Sequence, residues 1–232
     1  TLRYLVRRDE IADLSNDAAA FIRAQDGESI TSLIGQDIVL DMRNSKFSPT
    51  DGFLIRASTD IAGLGGNSKY FRARLRSTYH YQIASNWVLN FGGEIGHIQD
   101  FGEDIKINDL FFLGGDNLRG FEVSGVGPRD SATDDSLGGR TLLTGTAELH
   151  FPIGLPEELG VSAALFTDIG TLLNPVADGA QLLDETAPRI STGLGIKWRS
   201  PFGPIRVDIA FPIVKESFDK EELVHFNFGT RF

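Results

Sequence analysis

The chain has 232 residues, 41% hydrophobic and 23% charged, with a formal net charge of -10 and a sequence pI near 4.8. It holds no apolar run near the roughly 18 residues that a membrane-crossing helix requires, which excludes a helical membrane protein, and its acid excess argues against the clustered basic face of a nucleic-acid binder. The absence of cysteine rules out a disulfide framework and thiolate metal centres while leaving the compartment open.

Thr1 leads almost directly into a strand-like stretch, Leu2 to Arg8, so the sequence reads as a mature or truncated product from which targeting information is lost. From there apolar residues recur at every second position in about ten segments, the signature of β-strands with one oily face. Phe71, Ala73, Leu75, Tyr79 and Tyr81 oppose Arg72, Arg74, Arg76 and His80, and Trp87, Leu89, Phe91 and Ile95 oppose Asn90, Gly92 and Glu94. Leu143, Ala147, Leu149 and Phe151 oppose Thr144, Thr146, Glu148 and His150, while Val161, Leu165 and Ile169 oppose Ser162, Ala164, Phe166 and Asp168. Ile190, Thr192, Leu194, Ile196 and Trp198 oppose Arg189, Ser191, Lys197 and Arg199, and Ile205, Val207, Ile209 and Phe211 oppose Arg206 and Asp208. In the last segment Val224, Phe226, Phe228 and Phe232 fall on one side, and His225, Asn227, Gly229 and Arg231 on the other.

Such alternation fits a soluble β-sandwich with its apolar face inward and a membrane barrel with that face outward. Length and layout favour the barrel. Several segments reach the roughly 9 to 11 residues that a tilted membrane strand needs. Tyr79, Tyr81, Trp87, Trp198, Phe202, Phe211 and Phe232 gather near segment ends, as in interfacial girdles, and short turns such as Ser200 to Pro204 alternate with longer polar connections such as Asn174 to Pro188. The fold class read from the sequence is all-β, an antiparallel transmembrane β-barrel.

The longest connection, about Gln99 to Gly138, needs an explanation, because structureless loops of that length are uncommon in compact domains. Phe111, Phe112, Leu113, Leu118 and Phe121 argue that its first half packs against something, while the composition after Asp130 permits a solvated stretch. Residues Gly114 to Phe121 read Gly-Gly-Asp-Asn-Leu-Arg-Gly-Phe. If this loop tucks inward, the Arg119 guanidinium requires carboxylate partners. Glu148 and Asp168, on the polar faces of neighbouring strands, are the candidates, and a guanidinium can bridge both. The alternatives are a solvated Arg119, and lumen-lining carboxylates paired instead with Arg72, Arg74 or Arg206.

The tetrad Leu118-Arg119-Gly120-Phe121, with its Gly-Gly-Asp-Asn lead-in, resembles the Val-Arg-Gly-Phe/Tyr loop motif of the BamA-type family of outer-membrane insertases, with leucine in place of the usual valine. Other segments agree in order: Pro49-Thr50-Asp51-Gly52, Thr146-Ala147-Glu148, Phe166-Thr167-Asp168-Ile169-Gly170-Thr171 and Ser200-Pro201-Phe202-Gly203-Pro204. The resemblance spans nearly the whole chain. It implies that residues 1–232, with their loop at about 99–138, are the carboxyl-terminal portion of a barrel described as sixteen-stranded and preceded by periplasmic POTRA domains. It further implies a factor that folds and inserts β-barrel proteins in the bacterial outer membrane without nucleotide or cofactor. Membrane lipid, unfolded outer-membrane client proteins and periplasmic accessory lipoproteins would be its partners. Arg119 would then be an organiser, locking the loop against Glu148 and Asp168, and Phe226, Phe228 and Phe232 would form the terminal-strand signal.

Related readings stay open at this level: a TamA-like assembly factor, a two-partner secretion pore, or a passive porin or receptor barrel. Catalysis has little support, because His80, His97, His150 and His225 sit in no recognisable acid, base or nucleophile arrangement. Nor does any histidine pair carry metal-ligand spacing. The glycine pairs Gly114-Gly115 and Gly138-Gly139 read as turns, not phosphate cradles, since no helix follows them.

Overall fold

The computed structural model describes residues 1–15, 17–102, 105–176 and 182–228. In chain order the elements are β1 (Leu2–Ile11), the short helix α1 (Ala20–Arg23), β2 (Gly27–Asp41), β3 (Gly52–Gly66), β4 (Tyr70–Ala84), β5 (Trp87–Asp100), β6 (Gly120–Phe121), β7 (Arg129–Asp130), β8 (Thr141–Phe151), β9 (Val161–Leu173), β10 (Leu182–Leu183), β11 (Arg189–Ser200), β12 (Gly203–Val214), β13 (Glu221–Glu222) and β14 (Val224–Phe228). All the strands except the two-residue β6, β7, β10 and β13 belong to one ten-stranded antiparallel sheet in the order β1-β2-β3-β4-β5-β8-β9-β11-β12-β14. Each wall strand therefore pairs with the next wall strand along the chain, as short connections between long antiparallel strands favour. At the tight end, Asn86 adopts a positive φ of 62° between β4 and β5, and Gly203 one of 127° after Pro201 and Phe202.

The two faces of this sheet are the reverse of those of a soluble sandwich. Leu75, Phe91, Ile95, Leu165, Ile169, Leu194, Ile209, Phe226 and Phe228 are exposed, while Asp60, Glu94, Glu148, Asp168 and Asp208 on the opposite parity are buried. An apolar band this extensive on the outside of a sheet belongs against hydrocarbon. No described helix is long and apolar enough to cross a membrane; the strands themselves carry the apolar band. Tyr79, Tyr81, Trp87, Trp198 and Phe202 stand exposed near the tight-turn end, where the Trp87 ring stacks on Phe151 at 5.4 Å between centroids. The sheet curls strongly enough that Arg76 of β4 and Asn227 of β14 line one cavity of about 840 Å³. Phe226 and Phe228 point outward from the last strand, and Phe232 lies outside the described residues.

Alternation alone suggests an inner face that is wet throughout, and the structure corrects this. Toward the long-loop end the inward positions of the wall turn apolar, and Leu33, Ala62, Tyr70, Ile98, Leu142 and Leu172 are buried there with loop residues Ile105, Leu110, Phe111, Leu113, Leu118, Phe121 and Val126 in a single core cluster. The long-loop end of the barrel interior is thus an apolar core built jointly by wall and loop. Small wall residues make room for it: a Cβ on Gly96 would lie 2.6 Å from the Phe111 ring, and one on Gly170 would lie 3.0 Å from Leu113.

The loop itself spans residues 101–140, since β5 continues through Asp100 and β8 starts at Thr141, two residues beyond each bound read from the sequence. Pairing explains the shift, because Tyr70 and Asp100 are partners in the β4–β5 register. The stretch after Asp130 is solvated only in part, with Ser131, Ala132 and Asp134 exposed before the chain folds back. Arg129 and Asp130 pair with Leu183 and Leu182, and Leu137 is buried, its N–H donating to the Pro128 carbonyl at 2.9 Å. Hydrophobic residues too sparse to reveal themselves as a periodic pattern still suffice to fold a loop onto a wall that offers matching apolar positions.

Candidate functional site

The site begins with the turn that presents Arg119. The Gly115 N–H donates to the Phe121 carbonyl at 2.8 Å, the Gly114 N–H donates to Asn117 Oδ1 at 2.8 Å, and Asn117 Nδ2 donates to the Phe112 carbonyl at 3.0 Å. Gly114 takes φ of 124°, and a Cβ there would lie 2.0 Å from the Glu122 carbonyl oxygen, so only glycine closes the turn. Leu118 and Phe121, on either side of Arg119 and Gly120, are wholly buried in the shared core and fix the turn's depth in the lumen. Gly120 and Phe121 also form a ribbon with Glu222 and Glu221, and the Gly120 N–H donates to His225 Nε2 of β14 at 2.8 Å.

From this turn the Arg119 guanidinium reaches across three strands. Its Nε and Nη2 donate to Asp168 Oδ2 and Oδ1 of β9, both at 2.7 Å, a two-pronged pairing that matches the planar fork. Nη1 donates to Glu148 Oε2 of β8 at 2.8 Å and lies 3.6 Å from Asp208 Oδ2 of β12. Thr146 Oγ1 donates to Asp168 Oδ1 at 2.6 Å, and the guanidinium carbon sits 3.4 Å from the centroid of the Phe166 ring. An aromatic residue on an otherwise polar face is explained by this stacking, which shields the cation while leaving its edge free to donate.

Glu148 is shared. Arg206 of β12 donates through Nη1 to Oε1 at 2.8 Å and through Nη2 to Oε2 at 2.5 Å, and its Nε bonds Asp208 Oδ2 at 2.7 Å. His150 Nε2 stands 2.6 Å from Glu148 Oε1. Two guanidinium groups and three carboxylates therefore form one buried network in which the loop supplies a single member. Glycines on β11 admit it: a Cβ on Gly195 would lie 2.0 Å from Asp208 Oδ1, and one on Gly193 would lie 2.6 Å from the Phe166 ring. Among the described residues no group of three or more His, Cys, Asp or Glu side chains is arranged to hold a metal ion. What the arrangement does chemically is fasten a loop to a wall. A buried pair that loses one partner costs about 3 to 5 kcal/mol, so the loop cannot leave without a large penalty.

A family model described as the Omp85 superfamily domain matches residues 1–232. The chain belongs to the Omp85 superfamily. Among the relatives of this Omp85 chain, "Outer membrane protein assembly factor BamA" of Neorickettsia risticii is 33% identical over 236 aligned residues, covering 100% of this chain and 31% of that protein. The protein of the same name from Neisseria meningitidis is 27% identical over 82% of this chain and 27% of its own length. The human "Sorting and assembly machinery component 50 homolog" is 29% identical over 68% of this chain and 34% of its own. The chain thus spans about a third or less of the length of these relatives. A crystal structure of BamA from Haemophilus ducreyi lacking POTRA domains 1-3 superimposes with a TM-score of 0.75 at 24% identity, over 86% of this chain and 42% of that one, so the fold is a BamA-like barrel.

Placed on this Omp85 barrel, Arg119, Glu148 and Asp168 meet in the lumen, Leu118 and Phe121 go into the apolar core and Gly120 bonds His225, while Phe226 and Phe228 lie on the outer face of β14 and make no contact with this network. Of the alternative partners for the carboxylates, Arg206 does join Glu148, whereas Arg72 goes to Asp60 and Arg74 to Glu94. Both pairings of Glu148 coexist. Sequence reasoning gave no role to Asp208, Thr146, Phe166 or His225. Their inward parity was legible, but which inward residues converge depends on strand stagger, which alternation does not encode.

Proposed function

We propose that this chain is the barrel portion of an outer-membrane protein assembly factor, which folds and inserts β-barrel clients into the bacterial outer membrane. The observation that carries the reading is the loop turn Leu118–Phe121 fastened inside the barrel through Arg119, in a chain whose bacterial relatives bear the assembly-factor name. A lumen occupied by a pinned, partly dry loop suits a scaffold better than an open conduit, which separates this reading from a passive porin. Among the described residues ten wall strands run between the edges β1 and β14, which suits a part of a larger barrel.

In this reading the chain works on membrane lipid and unfolded outer-membrane proteins. An unpaired strand edge near β14 offers backbone donors and acceptors to a client strand, and in hydrocarbon no water competes for them. Periplasmic accessory lipoproteins would act on the longer protein. No nucleotide enters the scheme, and Arg119, Glu148 and Asp168 act as organisers of the wall beside that edge, not as catalysts.

The test is charge exchange in the full-length protein reconstituted in liposomes, with folding of a reporter barrel as readout. Arg119→Asp and Asp168→Arg singly should abolish assisted folding, and the double variant should recover part of it. Equal activity in all three would remove the clamp from the reading.

A further inference from the structure

At the other side of the same loop lies a second buried charge that the Arg119 network does not involve. Asp109, at the end of a short 3-10 turn (Ile107–Asp109), is 1% exposed. Its Oδ1 accepts from Arg7 Nη2 of β1 at 2.8 Å and from the Tyr70 hydroxyl of β4 at 3.0 Å, and Arg72 Nη1 donates to its backbone carbonyl at 3.5 Å. The neighbouring Phe111 ring is covered by the Arg74 guanidinium at 5.0 Å. The turn is also tied upstream, the Ile107 N–H donating to Gln25 Oε1 at 2.8 Å. Here the signs are inverted relative to the first anchor: the loop supplies the carboxylate and the wall supplies the cation and the hydroxyl.

We propose that Asp109 is a second anchor of the loop, a positioning residue that sets where the Arg119 turn lies by fastening the loop's start to β1 and β4 through Arg7 and Tyr70. The two anchors share no hydrogen-bond partner, and between them run the buried side chains of Leu110, Phe111, Leu113 and Leu118. The loop is then fastened to the wall at two separate places. One end ties β1 and β4, and the other ties β8, β9 and β12, so a single loop reaches both the first wall strand and the strand beside the last. A carboxylate so fully enclosed, with a guanidinium from an edge strand aimed at it, has a clear physical purpose only if the loop must not slide.

This inference deepens the assembly reading by naming a residue that positions the same loop, and its test is independent of assembly. Spin labels at the exposed positions Val123 in the loop and Phe202 in the β11–β12 turn of the full-length protein in liposomes report the loop position as a distance distribution. The parent should give one narrow distance. Asp109→Asn, which keeps the shape and loses the charge, should broaden the distribution at least twofold while heat-modifiable gel mobility shows the barrel still folded. Arg7→Gln should do the same and Arg7→Lys should not, because lysine retains a cation for the carboxylate. Tyr70→Phe, which removes a single hydroxyl, should give a smaller broadening and serves as the readout if the Asp109 variant does not fold. A narrow, unshifted distance in folded Asp109→Asn, or in Tyr70→Phe where that variant stands in for it, would overturn the anchor. Reporter folding measured in parallel bears only on the assembly reading: broadening without lost folding keeps the anchor and weakens that reading, and lost folding without broadening does the reverse.

Discussion

The loop meets the wall through two polar contacts of opposite design. At Arg119 the loop contributes a cation to a network already rich in carboxylates, and the guanidinium uses its edge and one face: two oxygens of Asp168, one of Glu148, and the ring of Phe166 beneath. At Asp109 the loop contributes an anion to Arg7 and Tyr70, and Oδ2 of that carboxylate is buried with no hydrogen-bond partner among the described residues. An unsatisfied buried oxygen takes back part of what the other oxygen gains. The first contact should therefore hold the loop more strongly, and the second should chiefly set its position.

The strongest way to break that ranking is Arg119→Ala. It leaves Asp168 without a cation, held only by Thr146 and the residue 119 N–H, and leaves Glu148 with Arg206 and His150, so a loss of about 3 to 5 kcal/mol is expected, read as a fall in the urea midpoint of the folded barrel in detergent. Arg119→Lys should recover only a fraction, since a single ammonium cannot reproduce the two-pronged pairing. Gly193→Ala is expected to cost about 1 to 3 kcal/mol or more by overpacking, because its Cβ would lie 2.2 Å from the Ile209 carbonyl oxygen of β12 and 2.6 Å from the Phe166 ring beneath the guanidinium. Faster protease cleavage of the loop in that variant, with the wall strands still protected, would locate the damage at the first contact. The smallest expected quantity is the coupling between contacts. Asp109→Asn combined with Arg119→Ala should give the sum of the single losses within about 0.5 kcal/mol, as sites with no shared partner do. A coupling well above that would mean the loop responds as one rigid body and would erase the distinction between holding and positioning.

How much of this could be read from residues alone differs between the two contacts. The Arg119 turn was legible because glycines, a lone arginine and flanking apolar residues stand out in a connection, and because Glu148 and Asp168 occupy the polar parity of regular strands. Asp109 was not, because Ile107-Asn108-Asp109 has no period and no unusual composition, and its partner Arg7 lies 102 residues away on β1. Phe166 shares the parity of Ser162 and Asp168 in the sequence, where nothing local accounts for its ring. An aromatic on a polar face has meaning only once a cation is found above it. The wet lumen inferred from alternation was half right, since the same parity that carries Glu94 and Arg74 at mid-strand carries Ile98 and Leu142 nearer the long loop, where a folded connection replaces water.

By itself the sequence determined the all-β wall, the inward and outward parity of each strand, and the loop turn that carries Arg119, because side-chain alternation and turn chemistry are local properties of the backbone. Only the tertiary structure decided that Arg206, Asp208 and His225 gather about that turn, that Asp109 is held by Arg7 and Tyr70, and that the long-loop end of the interior is an apolar core. Those outcomes depend on strand stagger and sheet curvature, which bring residues far apart in the chain to hydrogen-bond distance, and neither quantity is written in any single segment.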